Sequence, residues 1–393
     1  MNLDEAKQLN DSYHMNTYGR LPITFVKGKG TRLWDDTGKE YLDLLSGIGV
    51  VSVGHCHPAV VDAVKAQVEQ LMHVSNLFYT EPQLKLAKKI AEVSFGDKCF
   101  FANSGAEANE GAIKLARRYA RIHGKDDAYE IVTALNSFHG RTMKTLAATG
   151  QLDKQKPFEP MPPGFIHVPL NDIEALKNAV SEKTCAVMLE PIQGEGGVYP
   201  CEPQYLKDVR ALCDKHDILL IFDEVQTGMG RTGHIFAYQA YGVTPDVMTL
   251  AKGIGSGLPI GVLVASDKAA AFSPGEHGST FGGGPVVCAG ALATIQVLED
   301  ENLVENSRIV GAYFKEKLEN LMKTTGKITE IRGMGLMLAI ELSQENSKDI
   351  VLKLLKNGIV ANSIGNSTVR FLPPLCLKKA EVDQVISKLE RLL

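Results

Sequence analysis

Between about residue 51 and residue 285 the chain alternates short apolar runs with longer stretches of helical periodicity. The runs are "KCFFAN", "YEIVTAL", "CAVMLEPI", "ILLIFDEV", "VMTLAK" and "GVLVAS". None shows the regular polar–apolar alternation of a half-exposed strand, so each is predicted to be a strand buried on both faces. Helices are predicted between them, at Ala106–His123, Asp172–Ser181 and Gln204–His216. Such strands separated by helices imply an α/β fold with a mostly parallel sheet covered on both sides.

The texture changes after residue 285. One long helical region, "PVVCAGALATIQVLEDENLVENSRIVGAYFKEKLENLMKT", precedes "EIRGMGLMLAIEL", a helix near 347–356, strands near 359–372 and a last helix, Lys379–Leu393. This predicts a large domain over residues 51–285 and a smaller α+β domain over 286–393, which residues 1–50 join. In sheets of the first kind, ligands bind beyond the carboxyl ends of the strands. The stretch "ILLIFDEVQTGMGRTG" (218–233) therefore delivers Asp223 and Glu224 to a site rather than to the core.

Composition narrows the function mainly by exclusion. Net charge is −4 with no basic block, which gives no footing for nucleic acid or an anionic membrane. No apolar run approaches the roughly 18 residues of a membrane span. The polar, acid-bearing start "MNLDEAKQLNDSYHMNTYG" is unlike a signal or transit peptide. The 7 cysteines are scattered and never in C-x-x-C spacing, the usage of reduced thiols in a cytoplasmic protein. His55-Cys56-His57 invites a metal reading, but Pro58 follows, and a turn opening a helix explains the triplet; no metal is expected. Gly228-Met-Gly-Arg-Thr-Gly233 satisfies G-x-G-x-x-G, yet acidic and polar residues separate it from its strand. The next acid, Asp246, also comes too early for a dinucleotide fingerprint.

Four features carry chemistry instead. Lys252 ends the run "VMTLA" just before flexible glycines, where partial desolvation makes a lysine amine nucleophilic toward carbonyls. In "FFANSGAEANEG", Ser104 and Glu107 form a predicted capping box that leaves the amides of Gly105 and Ala106 free for a phosphate. The loop "SFHGRT" (137–142) sets Phe138, His139 and Arg141 at the same sheet edge, and Arg141 can clamp a carboxylate. Asp223, buried at its strand end, needs a cationic partner, which a protonated pyridine nitrogen would supply. Together these are the requirements of pyridoxal phosphate (PLP).

The segments "GHCHP", "NSGAEANEGAIKLAR", "SFHGRT", "EPIQGEGG", "FDEVQTGMGRTG", "LAKGIGSGLPIG", "GSTFGGGP" and "IRGMGL" resemble class III PLP-dependent aminotransferases of fold type I, essentially end to end. The resemblance implies a seven-stranded-type sheet and a Schiff-base lysine at Lys252, which also moves the substrate proton. Asp223 would pair with the ring nitrogen, Gln226 with the phenolic oxygen, and Val225 and Phe138 would flank the ring. Gly105 and Ala106 would hold the phosphate, with Glu224 counted among the cofactor residues. Thr280 would reach the phosphate of the partner subunit, so the implied assembly is a homodimer with shared sites. Arg141, Ser279 and Tyr18 would meet the substrate, while Glu195 and Arg370 would form a pair that admits two substrate types. Those substrates are small molecules, an acylated diamino acid as amino donor and 2-oxoglutarate as acceptor. Ile48 stands where members acting on free ornithine have tyrosine, which favours the acylated donor; Tyr18 leaves both open. Free ornithine, succinyl-diaminopimelate and acetyl-lysine are alternative donors on the same scaffold, and racemisation, decarboxylation and mutase chemistry, which use the same cofactor apparatus, are the alternatives of a different class.

Overall fold

Seven strands form the central sheet of the computed structural model, which describes residues 1–393. Their order is Lys98–Ala102, Gly261–Ala265, Val247–Leu250, Leu219–Asp223, Thr184–Leu189, Glu130–Ala134 and Phe165–Val168. Only Gly261–Ala265 runs antiparallel to its neighbours. The remaining pairs are parallel. The unbroken apolar character of the runs has a direct cause. Leu220 and Phe222 belong to one core, with Val187 and Met248. Leu219 and Ile221 belong to another, with Ala186 and Val247. Alternate side chains thus enter two separate cores, and neither face reaches water.

All six predicted runs are strands, and the sheet is the mostly parallel one expected. The seventh, Phe165–Val168, carried no signal: it is four residues long, lies at the sheet edge and has His167 in its middle. That imidazole is accommodated by the Thr133 hydroxyl, 2.7 Å from His167 Nδ1. The long helical region is two helices, Pro285–Asp300 and Leu303–Thr325, broken where Asn302 adopts a φ of 53°. The first of them packs against the helices Pro58–Gln70 and Glu81–Val93, so the chain stays with the sheet-bearing unit past residue 285.

Strands Phe25–Lys29, Arg32–Asp35 and Glu40–Asp43 form a small antiparallel meander, to which Ile359–Val360 adds parallel to Glu40–Asp43. A further sheet, ordered Ile328–Met334, Met337–Leu342, Thr368–Phe371 and Asn362–Ile364, sets Arg370 opposite Ala339 in its interior. His55 and His57 lie in the turn before the helix Pro58–Gln70, bonded to the carboxylates of Asp43 and Glu301. All seven cysteines are free. No helix is long and apolar enough to cross a membrane.

Candidate active site

A cavity of about 450 Å³ opens beyond the carboxyl ends of the central strands. Five of the strands contribute where they stop. Asn103 to Ala106 follow Lys98–Ala102, and Phe138 to Arg141 follow Glu130–Ala134. Asp223, Val225 and Gln226 come from the end of Leu219–Asp223, and Lys252 from just beyond Val247–Leu250. The antiparallel strand enters at this edge, which is why Leu258 to Ile260 close one side.

Lys252 sits half-buried with a φ of 43°, a left-handed backbone that a non-glycine residue holds only under constraint from its surroundings. Burial pulls its ammonium below the ordinary lysine value, toward the neutral amine; Glu195 and Asp223 pull the other way. Asp223 is 4 % exposed, and its two oxygens are treated differently. Oδ2 accepts from Asn109 Nδ2 and from His139 Nδ1, both at 2.8 Å. Oδ1 accepts only the amide of Val225, at 3.1 Å. The Asn109 amide is itself fixed, because its oxygen accepts from the Thr249 hydroxyl at 2.6 Å and its nitrogen also donates to the His139 carbonyl at 2.7 Å.

The helix Gly105–Ile122 begins in the cavity wall. Ser104 Oγ accepts from the Glu107 amide at 3.2 Å, as predicted. Its partner does not close the box: Glu107 Oε2 accepts instead from the backbone and side-chain nitrogens of Asn103, at 2.7 and 2.8 Å. The first-turn amides of Gly105 and Ala106 have no helical acceptor. A Cβ on Gly105 would come within 2.9 Å of both Val225 methyls, so only glycine lets this helix end lie flush on Val225.

Four expected residues lie elsewhere. The Glu224 carboxylate turns away from the cavity, because the free amides of Ala237 and Tyr238 and the Thr227 hydroxyl take its oxygens at 2.6, 2.8 and 3.0 Å. Burial pushes it up to about 7, and it caps a helix rather than touching a ligand. Tyr18 is exposed in the N-terminal segment, its ring under Arg20 and outside the cavity wall. Thr280 is exposed on a turn beside Phe281, outside the wall; Ser279 is tied to Asn103 Nδ2 and the Gly282 amide.

Glu195 and Arg370 do meet. Arg370 Nη1 donates to Glu195 Oε1 at 2.7 Å, to Gln226 Oε1 at 3.1 Å and to the Gly194 carbonyl at 3.0 Å. The pair lies behind Gln226, which lines the cavity and also donates to Glu195 at 3.3 Å. In this conformation the Gln226 amide therefore faces the ion pair, since a buried guanidinium needs every acceptor within reach. Burial works to raise Glu195, but Arg370 and then Lys252 outweigh it and hold the carboxyl below the usual range.

The description Aminotransferase class-III matches residues 13–393. An acetylornithine aminotransferase from Caldanaerobacter subterraneus subsp. tengcongensis is 53% identical over 381 residues, covering 97% of each chain. The crystal structure of an acetylornithine aminotransferase from Elizabethkingia anophelis superposes with a TM-score of 0.90 at 34% identity, covering 100% of this chain and 99% of that one. An ornithine aminotransferase from Toxoplasma gondii, described with partial occupancy of PLP at its active site, gives 0.95 at 34% identity over 99% and 94% of the chains.

The chain belongs to the class III aminotransferases. It is a transaminase of fold type I, and the family implies PLP. The residues present fit that group on three independent grounds. The helix end at Gly105 is a cradle that a Cβ would fill. Asp223 lines the cavity, and its Oδ1 accepts a single bond and has acceptor capacity to spare. Lys252 is a cavity amine shifted toward its neutral form. Among the residues that hold this aminotransferase site, Asn109, Thr249 and Glu190 had not been singled out. Glu190 accepts from the amides of Phe138 and Gly194 at 2.8 and 3.0 Å, tying the aromatic loop to the residue before Glu195. Two of the three had a signal: a helix-disfavoured asparagine inside "AEANEG" and a lone hydroxyl in the run "VMTL".

Proposed function

We propose that this aminotransferase transfers the distal amine of N2-acetyl-L-ornithine to 2-oxoglutarate, giving N-acetyl-L-glutamate 5-semialdehyde and L-glutamate, a step of arginine biosynthesis. PLP, when bound, supplies the electron sink that stabilises negative charge on the substrate carbon. Asp223, oriented by its bonds from Asn109 and His139, would pair with the ring nitrogen. Phe138 and Val225, both in the cavity wall, would flank the ring, and the first-turn amides of Gly105 and Ala106 would hold the phosphate. The Lys252 amine takes and returns the substrate proton, a role that burial favours by lowering its basicity. Arg141, exposed at the lip with its guanidinium 5.5 Å from the Phe138 ring centroid, binds the donor's carboxylate. Ser279, bonded to Asn103 of the cavity wall, is assigned as a further substrate residue.

The observation that carries this reading is the Glu195–Arg370 pair. Closed, it neutralises Arg370 so that an amino donor's aliphatic chain can pass; open, it offers Arg370 to a carboxylate of 2-oxoglutarate. An arginine left permanently unpaired would reject the donor. Arg370 comes from the C-terminal sheet and Glu195 from beyond the central sheet. We therefore read residues 51–285, together with the helix Pro285–Asp300 that packs on them, as a large cofactor-binding domain, and the rest of 286–393 with 1–50 as a smaller one, with the gate between them.

We also assign a homodimer in which Thr280 serves the partner's cofactor. Thr280 is exposed next to Phe281, and exposed Leu77, Phe78 and Tyr79 in the segment 72–82 supply an apolar surface for a second copy. Single-turnover kinetics test the gate. Glu195→Ala should impair the acetylornithine half-reaction while the glutamate and 2-oxoglutarate half-reactions survive, and Arg370→Ala should do the reverse. A charge-assisted bond of about 1.5–3 kcal/mol sets shifts of roughly tenfold to a hundredfold in kcat/KM. Equal losses in both half-reactions for both variants would make the pair a structural brace only.

A further inference from the structure

Lys154 lies on the short helix Leu152–Gln155, half-buried, and its ammonium makes no hydrogen bond or ion pair. It stands 5.0 Å from the centroid of the Phe138 ring, with the Arg141 guanidinium 5.5 Å from the same centroid and also without a carboxylate partner. Two unneutralised cations over one ring at the lip of a cavity are unfavourable unless an anion comes to them. Burial, then Arg141 and, more weakly, Arg370 depress the Lys154 ammonium, while the carboxylates of Glu195 and Glu190 support it.

Of those two, only Glu195 is free to move. Glu190 is 5 % exposed and committed through both oxygens to the amides of Phe138 and Gly194. Glu195 uses one oxygen, Oε1, for Arg370 and Gln226, and the other makes no bond. The same contacts of Glu190 place Phe138, under Lys154, next to the loop that carries Glu195.

Counting charges shows what the gate requires, granted the reading of Glu195, Arg370 and Arg141 above. With the amino donor bound, Glu195 neutralises Arg370 and the donor's carboxylate neutralises Arg141, leaving Lys154 over. With 2-oxoglutarate bound, its two carboxylates claim both arginines and Glu195 loses its partner. A largely buried carboxylate left alone is strongly disfavoured. We infer that Lys154 is the counter-ion that receives Glu195 when Arg370 is given to the second carboxylate, which makes it a specificity-determining residue for the dicarboxylate half-reaction. Lys252 does not fill this place, because its amine is needed to carry the substrate proton.

The test is single-turnover kinetics of each half-reaction on the holoenzyme. Lys154→Met should lower kcat/KM for 2-oxoglutarate about tenfold, mostly through binding, and leave acetylornithine within about twofold. Lys154→Arg should restore the dicarboxylate reaction. In a Glu195→Gln background, which has no charge to place, Lys154→Met should change 2-oxoglutarate kinetics less than about twofold. Equal losses for both substrates, or a loss that persists in the Glu195→Gln background, would overturn the inference and make Lys154 a direct substrate contact or a structural support. The gate itself is read separately: if Glu195→Gln alone alters both half-reactions equally, the gate reading fails and the role of Lys154 falls with it.

Discussion

The floor and the lip of the cavity are built on opposite principles. On the floor, Asp223, Asn109, Thr249 and His139 form one buried neutral-and-carboxylate network that fixes each side chain through the others, with His139 Nε2 its one atom left without a partner. At the lip, Arg141 and Lys154 have no carboxylate, and behind it the buried Arg370 keeps one nitrogen, Nη2, without a partner. A network whose members fix one another holds one geometry, whereas a set of charges in excess of their partners waits for a ligand to complete it. The floor is therefore shaped for a resident group, and the lip for substrates that come and go.

The largest expected effect breaks the floor at its one reactive atom. Lys252→Ala should lose about 10²–10⁴-fold or more in turnover, because no neighbouring amine can replace a proton carrier. Cofactor uptake should persist, since the residues assigned to phosphate and ring are untouched. Borohydride treatment followed by mass measurement should no longer find cofactor attached to the chain. Turnover within a few per cent of wild type would dismiss the assignment.

How much of this was legible in the sequence follows the same division. Strand ends announce floor residues, because an apolar run that stops at Asp223 or Lys252 fixes both their depth and their side of the sheet. Glu224 is adjacent to Asp223 and looked equivalent, but successive strand residues point oppositely, and its partners are amides 13 and 14 residues further on. Lys154 gave no signal at all, since it lies on a four-residue helix in a polar stretch and acquires meaning only from Phe138 above the same cavity. Long-range pairs such as Glu195 with Arg370, 175 residues apart, were reached through resemblance and not through pattern.

Glu190 sharpens the comparison because it belongs to both regions, bracing Phe138 on one side and Gly194 on the other. Burial raises its carboxyl from the ordinary 4.5 to about 7. The folded state thus holds this proton more tightly than the unfolded chain. The resulting stabilisation is complete below about pH 4.5 and is lost as the pH rises through about 7. Glu190→Gln is neutral at every pH and should escape that loss. Relative to wild type, its melting temperature should rise between about pH 5 and about pH 8, by the equivalent of 1–3 kcal/mol on an order-of-magnitude scale. A difference that is flat with pH would show that Glu190 is ionised in the fold throughout.

The smallest expected effect separates the two regions most cleanly. Arg141 is exposed, stacks near Phe138 and satisfies no buried acceptor, while its charge opposes that of Lys154. Removing it takes away no folded-state partner and relieves a like-charge contact. Arg141→Gln should therefore leave thermal stability within about 0.5 kcal/mol of wild type, on the stabilising side if it moves at all. The same variant should raise KM for both substrates, because each places a carboxylate at this position. Stability and binding would then respond to one substitution in opposite directions, the behaviour of a residue kept for its ligand and not for the fold. A clear drop in melting temperature, with KM unchanged, would show instead that Arg141 belongs to the framework, and the lip would be no different in kind from the floor.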